Sequence, residues 1–327
     1  IMKNLVRSHG DCQRQLRLAR DFSIAAQGKP GQIRAQLRKY HLLEMPEDSN
    51  QMAFDQHVHD VNTIGRKSPT HLIMDAWIKG IRSLTVIHYN FVSREAADEL
   101  LQAADIMDIR VKIGIEYSAL FRGKKIRLIW VPEGIRDAAG FDEFLQSPSI
   151  AELMEQGRMV SDRVKDHVLG LLHSFNQLHL SDLSDRVGID IPRLDEQGFL
   201  ESVGQGQVSV LNLAKYIQEL LVKKISESAS TDTSPQDFRL NEQVGGFVAG
   251  LDIYDIVQEY LGPQSNPEVP DIFRDEDRPG LLSLTPSQLA FKLHNLHPNS
   301  NIILNLWDLS VQDVVEILYD CRGMISH

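Results

Sequence analysis

The sequence predicts an α/β fold in which a distorted parallel (β/α) barrel carries a mainly helical insertion. Three observations predict it. Between residues 52 and 131, short β-rich runs alternate with amphipathic helices, an order typical of parallel βαβ units. Helical periodicity replaces this order over residues 132–277, and strand–helix order returns from residue 278. The 327 residues are enough for one large barrel.

The elements of the first barrel segment follow one another closely. Ser68-Pro69 opens the first helix, because serine caps a helix and proline suits its first turn. Ser93 caps the next helix in the same way, and a tight basic turn at residues 122–125 joins the last two strands. The four strands are predicted at residues 52–59, 83–87, 111–115 and 126–131.

The chain divides into four predicted segments. The first segment, an N-terminal arm, differs from the rest in its positive charge, since residues 1–40 hold nine Lys or Arg against two acids. In the last segment, Thr285-Pro286 opens a helix, residues 301–306 form a buried strand, and Ser310 with Asp313 caps a further helix. The segments are a basic helical arm (1–49), the first part of the barrel (50–131), the helical insertion (132–277) and the second part of the barrel (278–327), which we expect to continue past His327.

Composition narrows the class of protein. The formal net charge of -11 argues against general nucleic-acid binding, because phosphate neutralisation needs a basic surface, and leaves the basic arm as the segment for such a contact. Two cysteines far apart imply no disulfide framework and fit a cytoplasmic protein. No apolar run approaches the roughly 18 residues that span a bilayer, so no membrane contact is expected.

Potential metal ligands end three consecutive predicted strands. His57 and His59 end the first strand, His88 the second and Glu116 the third. Because the carboxyl ends of parallel strands meet at one rim, we expect these side chains to lie together. Imidazole and carboxylate groups suit a divalent cation such as Zn, Mn or Fe. Asp308 follows the late strand and is either a further ligand at this rim or the cap of the next helix.

These residues resemble the polymerase and histidinol phosphatase (PHP) domain family of metal-dependent phosphoesterases. That family opens with Asp-x-His-x-His, matched by Asp55-Gln56-His57-Val58-His59, and continues with a Ser-Pro helix and a glycine, matched by Ser68-Pro69 and Gly80. Its third strand commonly ends in Gly-x-Glu, matched by Gly114-Ile115-Glu116. The resemblance covers residues 50–327, and its specific motifs lie in the first third.

Several ligand positions depart from the family pattern. The family's Thr-Asp-His-Asn motif appears as Ile87-His88-Tyr89-Asn90, and its Ala-His-Pro motif as Leu304-Asn305-Leu306-Trp307. The histidine expected on the fourth strand is replaced by Arg127. Arginine binds no cation but can hold a phosphate oxygen in bidentate fashion. These departures leave one cation, two, or none as alternatives to the three-metal arrangement of the family.

The resemblance implies a hydrolase that acts on a small phosphorylated substrate. Its metal would be held by His57, His59, His88, Glu116 and Asp308, while Arg127 and Tyr89 would contact the phosphate as catalytic groups. Two alternatives stay open. One is a catalytically decayed relative that serves as a binding or regulatory scaffold, and the other is a metal-dependent hydrolase of another class, such as an amidohydrolase-like enzyme.

Overall fold

The computed structural model of the chain describes residues 1–8, 10–26, 54–135, 137–188, 190–231, 252–273, 277–307 and 309–326. They form two compact units. The first comprises residues 1–160 and 279–327, and the second comprises residues 161–278. No helix in the described ranges is both long and apolar enough to cross a membrane.

A single curled five-stranded sheet organises the first unit. Its strands are β1 (Phe54–Val58), β2 (Ser83–Tyr89), β3 (Arg110–Phe121), β4 (Lys124–Pro132) and β5 (Ser300–Asn305), and they lie in this order across the sheet. β1, β2 and β3 run parallel, whereas β4 is antiparallel to both β3 and β5. The prediction of a mixed α/β fold is confirmed, but the predicted parallel barrel is corrected to a mixed, open sheet in the described part of the chain.

The turn between β3 and β4 explains this correction. Only Arg122 and Gly123 separate the paired residues Phe121 and Lys124, and both have positive φ, at 50° and 79°. Two left-handed residues form the type I′ turn that suits a β-hairpin. A parallel connection needs about a dozen residues or more to cross over, so a link this short requires antiparallel strands.

Helices cover one face of this sheet. The predicted caps are confirmed, since Ser68 accepts from His71 N, Ser93 accepts from Ala96 N, and Ser310 forms a capping box with Asp313. The helices of this unit are α1 (Met2–Arg7), α2 (Cys12–Ala25), α3 (Pro69–Lys79), α4 (Arg94–Met107), α5 (Ala138–Gln146), α11 (Pro286–Leu296) and α12 (Val311–Asp320), together with the first part of α6 (Pro148–Ser174).

The described part of the N-terminal arm packs on the sheet's helical layer. The buried Gln15 side chain of α2 donates to Ser8 O at 3.2 Å, and its Oε1 accepts from Ser68 Oγ at 2.6 Å. A buried amide with partners on both sides holds α1, α2 and the start of α3 together. The rest of the predicted arm, residues 27–49, lies outside the described residues.

The second unit is helical, as the periodicity of residues 160–221 predicts. Besides the rest of α6, it contains α7 (Leu180–Val187), α8 (Glu196–Val203), α9 (Val210–Thr231) and α10 (Ile253–Tyr260). The predicted stripe residues Val168, Leu171 and Phe175 on one side and Leu213 and Ile217 on the other are buried in one cluster. This unit therefore has an apolar core of its own.

Candidate functional site

The face of the sheet opposite the helical layer, here called the inner face, carries one polar row. An apolar cluster of Ile87, Ile129 and Val131, with Ile303 against it, fills the middle of this face. Side chains two residues apart on a strand share a face. The polar side chains beside that cluster on the same face are Tyr89 on β2, Glu116 on β3, Arg127 on β4 and Asn305 on β5. Tyr89 pairs in register with Glu116. We call these four side chains, with His57 and His59, the polar row.

β1 brings His57 and His59 to the end of this row. The pairing of β1 with β2 advances three residues on β1, from Asp55 to Val58, against two on β2, which places a bulge just before His59. Bulges of this kind re-aim side chains. The two imidazoles converge so that their Nε2 atoms lie 3.2 Å apart, and the His59 ring lies 5.2 Å from that of Tyr89.

The tautomer of His59 is set by the hydrogen bond of its Nδ1 atom. His59 Nδ1 lies 3.0 Å from Ile87 O and 3.1 Å from Thr63 Oγ1. A carbonyl oxygen can only accept, so this bond places the proton on Nδ1 and leaves the lone pair of Nε2 facing His57. Burial, with the neighbouring His57 as the second cause, lowers the pKa of His59 to about 4. The ring is neutral at physiological pH, which is the form that binds metals.

A tight loop after β1 fixes this arrangement. Asp60 is fully buried, and its side chain accepts from Asn62 N at 2.9 Å while its carbonyl accepts from Gly65 N at 2.9 Å. A Cβ on Gly65 would lie only 2.2 Å from His59 O, so no other residue fits there without moving the backbone. Thr63 is also buried in this loop, and sequence reasoning missed its contact with His59 because nothing local marks it.

Glu116 lies in the middle of the polar row, and two neighbouring side chains contact its carboxylate. Its side chain is 5% exposed, and Asn305 Nδ2 donates to its Oε2 at 3.2 Å. Arg127 Nε lies 3.7 Å from its Oε1. The Arg127 side chain remains 38% exposed, so its donors are accessible to a ligand. Arg127 thus offsets a carboxylate charge and still faces solvent.

His57 and His59 are spaced as two ligands of the metal that the sequence implies. Two imidazole nitrogens bound tetrahedrally to one Zn at about 2.0–2.1 Å lie roughly 3.3 Å apart, so the 3.2 Å separation of His57 and His59 fits a shared cation. However, the described residues contain no group of three or more His, Cys, Asp and Glu side chains that could hold a metal ion. The residues fit a two-nitrogen site, and Glu116 is already neutralised by Arg127.

The other predicted site residues are placed elsewhere. His88 alternates with Ile87 and Tyr89, so it lies on the helix-covered face, 2% exposed, and its Nε2 has no hydrogen-bond partner in the described structure. Burial lowers the pKa of His88, and the nearby Asp60 raises it less. Asp308 lies outside the described residues. Lys67, in the loop after β1, is paired with Asp75 at 2.5 Å.

The histidines of the helical segment make ordinary packing contacts. His167 Nδ1 lies 3.0 Å from Pro270 O, and His179 Nε2 lies 3.0 Å from Ser265 O. Each of these ring nitrogens therefore faces a backbone carbonyl oxygen.

Comparisons with known proteins show a similarity of fold. No family model and no curated protein match the chain. It is similar to a solved Bifidobacterium adolescentis protein provisionally described as a metal-dependent phosphoesterase, with 12% identity over 83% of this chain and 75% of that one, and a TM-score of 0.50. It also matches an amidohydrolase from Chromobacterium violaceum, solved with sulfate and without metal, with 12% identity over 83% and 74% and a TM-score of 0.45. At this identity the first likeness shows a shared fold alone.

The low pKa of His59 predicts how stability changes with pH in metal-free protein. The unfolded chain takes up a proton near pH 6.5, whereas the folded chain does so near pH 4, so the unfolded state binds more protons between these values. The free energy of unfolding should therefore fall by about 2 kcal/mol as pH drops through this window, a figure reduced for solvent screening of a partly exposed ring. Urea unfolding at both pH values checks this. His59→Gln should lose most of the difference, while His294→Gln, at an exposed helix end, should keep it.

Proposed function

We propose that this chain is a metal-dependent hydrolase of the PHP phosphoesterase type that acts on a small phosphorylated substrate. The observation that carries the proposal is the convergence of His57 and His59, whose Nε2 atoms lie 3.2 Å apart with the His59 lone pair directed at His57. Two such nitrogens at the edge of the sheet, with an arginine on the same face, combine ligands for a cation with a group for a phosphate.

Two parts of the polar row have different roles in the proposed mechanism. His57 and His59 would hold one divalent cation, Zn, Mn or Fe, and when bound this cation supplies a water of lowered pKa and positive charge for a phosphoryl oxygen. Arg127 binds the remaining phosphate oxygens, and the Tyr89 hydroxyl, two residues along the inner face from Ile87, orients them. Glu116 and Asn305 keep the guanidinium in place.

The experiment compares metal content with phosphatase activity. Purified protein is analysed for bound elements, then assayed with p-nitrophenyl phosphate after adding Mn or Zn. We expect about one cation per chain and turnover that needs it. The double variant His57→Ala, His59→Ala should lose both, whereas His294→Ala should lose neither. Protein that binds no cation and hydrolyses no phosphate ester under any metal would rule the proposal out.

A second candidate is a catalytically decayed scaffold that binds a phosphorylated ligand without hydrolysing it. The pairing of Glu116 with Arg127 favours this candidate, because the buried carboxylate is neutralised without a metal. It predicts that phosphate binds the metal-free protein in titration calorimetry, with no turnover after metals are added. Binding that requires His57 and His59 would instead favour the hydrolase.

A further inference from the structure

Two oxygen atoms from different parts of the chain converge on the Nδ1 atom of His59. Ile87 O, on β2, lies 3.0 Å from it, and Thr63 Oγ1, in the loop after β1, lies 3.1 Å from it. At nearly equal distances the two oxygens share one ring proton in a three-centre hydrogen bond. The sheet and the loop therefore both hold the His59 ring, and the loop does so through the hydroxyl of Thr63.

The hydroxyl proton of Thr63 is directed away from the ring. Thr63 Oγ1 donates to Asp60 O at 3.2 Å. Because a hydroxyl has one proton, the same oxygen can only accept from His59 Nδ1. Ile87 O has no proton to give and can also only accept. Both contacts favour the tautomer in which Nε2 is unprotonated and faces His57 Nε2 at 3.2 Å.

The loop that presents Thr63 is fixed by backbone hydrogen bonds. The carbonyl of the fully buried Asp60 accepts from Thr63 N at 3.1 Å and from Gly65 N at 2.9 Å. Val61 N donates to Lys67 O at 2.9 Å, which joins the two ends of the loop. Thr63 itself is only 2% exposed, so bulk water has little access to replace its hydroxyl. The hydroxyl is thus held at one place beside the ring.

A role confined to the loop accounts for only one of the two contacts of this hydroxyl. The bond from Thr63 Oγ1 to Asp60 O joins residues three positions apart and stabilises the turn by itself. The contact with His59 Nδ1 adds nothing that the turn requires. It does constrain the one ring in the polar row whose Nε2 is directed at a second imidazole.

We propose that Thr63 is a positioning residue of the candidate site, which holds the ring and the tautomer of His59 so that Nε2 can bind a divalent cation. The part that concerns the cation rests on the proposed function, whereas the effect on the tautomer needs no cation. Removing a group that holds the second nitrogen of a metal-binding histidine typically weakens metal binding about 10–100-fold. Ile87 O remains when the Thr63 hydroxyl is removed, so we expect the lower end of that range.

Nitrogen-15 NMR of the metal-free protein near neutral pH tests the tautomer directly. Correlations between the ring nitrogens and the carbon-bound ring protons distinguish protonated Nδ1 from protonated Nε2, and His59→Gln assigns the His59 signals by their loss. The unmodified protein and Thr63→Ser, which keeps the hydroxyl, should both carry the proton on Nδ1. Thr63→Val, of nearly the same shape, should carry it on Nε2 in part of the molecules. An unchanged tautomer in Thr63→Val overturns the proposal.

Zinc titration calorimetry on the same metal-free proteins supplies the second readout. Thr63→Val should bind zinc about tenfold more weakly than the unmodified protein, and Thr63→Ser should bind it normally. Heat that persists in the double variant His57→Ala, His59→Ala belongs to other sites and is subtracted. Equal zinc affinity in Thr63→Val and the unmodified protein overturns the proposal. Failure of the unmodified protein to bind zinc contradicts the hydrolase instead, and the tautomer measurement then decides the role of Thr63.

Thr70→Val is the matched control for the loss of a buried threonine hydroxyl. Thr70 is fully buried, and its Oγ1 donates to Glu99 Oε1 at 2.7 Å. Its replacement should lower the free energy of unfolding, because a buried hydrogen bond is lost, but leave the His59 tautomer and zinc affinity unchanged. If Thr70→Val altered both as much as Thr63→Val, the effect would reflect general destabilisation and the assignment to Thr63 would be wrong.

Discussion

Gly157→Ala should destabilise the first unit by about 3 kcal/mol or more, although alanine is the better helix former. Gly157 lies within α6, where helix propensity alone predicts a gain of about 1 kcal/mol from alanine. A Cβ at this position would lie 2.0 Å from Asn90 O and 2.7 Å from Asn90 C. Both atoms belong to the backbone, so the helix or the segment after Tyr89 has to move.

Gly170 supplies a control in the same helix. A Cβ there would meet only Val269 Cγ1, at 3.4 Å, which is an ordinary contact. Gly170→Ala should therefore raise stability by roughly 0.5–1 kcal/mol, opposite in sign to the first change. Urea unfolding of both variants measures the difference. If Gly157→Ala were neutral or stabilising, the close approach of α6 to Asn90 would be contradicted.

The helices and strands could be predicted from the sequence because the patterns that mark them are local. Serine caps, a proline in the first turn and β-rich runs act within a few residues, and Ser68, Ser93 and Ser310 cap helices where predicted. The antiparallel direction of β4 can also be predicted from the sequence, although the parallel barrel assigns it the opposite direction. The turn at Arg122 and Gly123 leaves too few residues for a parallel crossover, so its length alone excludes that topology.

The side chains that meet at the candidate site were harder to predict from the sequence. β2 is buried on both faces, and its run of Leu84 to Ile87 gives no alternation from which to tell which face His88 occupies. The bulge in β1 depends on pairing with β2, which no local pattern specifies. The contact of Asn305 with Glu116 joins residues 189 positions apart and exists only once β4 lies between them.

Arg127 stands where the sequence resemblance implies a histidine, but the consequence of this difference required the structure. Sequence comparison treats the change as the loss of a metal ligand. In the folded chain Arg127 lies 3.7 Å from a carboxylate that would otherwise be buried without a positive charge nearby. Under the proposed function, Arg127 therefore both stands in the place of a ligand and neutralises Glu116, which links the two competing functions to a single residue.

Arg127→Met should lower kcat/KM for a phosphate ester about 100-fold, because it removes the charged, forked donor on the phosphate side of the polar row. Arg127→Lys should recover only part of the loss, since lysine restores charge but not bidentate geometry. Steady-state kinetics and competition by inorganic phosphate measure both effects, and bound metal should stay unchanged. Arg122→Met is the control, because Arg122 also pairs with a carboxylate, Glu316, at 2.6 Å but lies at the hairpin turn.

Stability separates a binding role of Arg127 from a purely structural one. Arg127→Met leaves Glu116 with Asn305 as its remaining partner and should cost about 1–2 kcal/mol, less than for a fully buried pair because Arg127 is 38% exposed. Adding Glu116→Gln removes the unpaired charge and should recover most of that loss in urea unfolding. If phosphate affinity returned together with stability in the double variant, Arg127 would act only by holding Glu116. Continued loss of phosphate binding in a stable double variant would place the guanidinium in direct contact with the ligand.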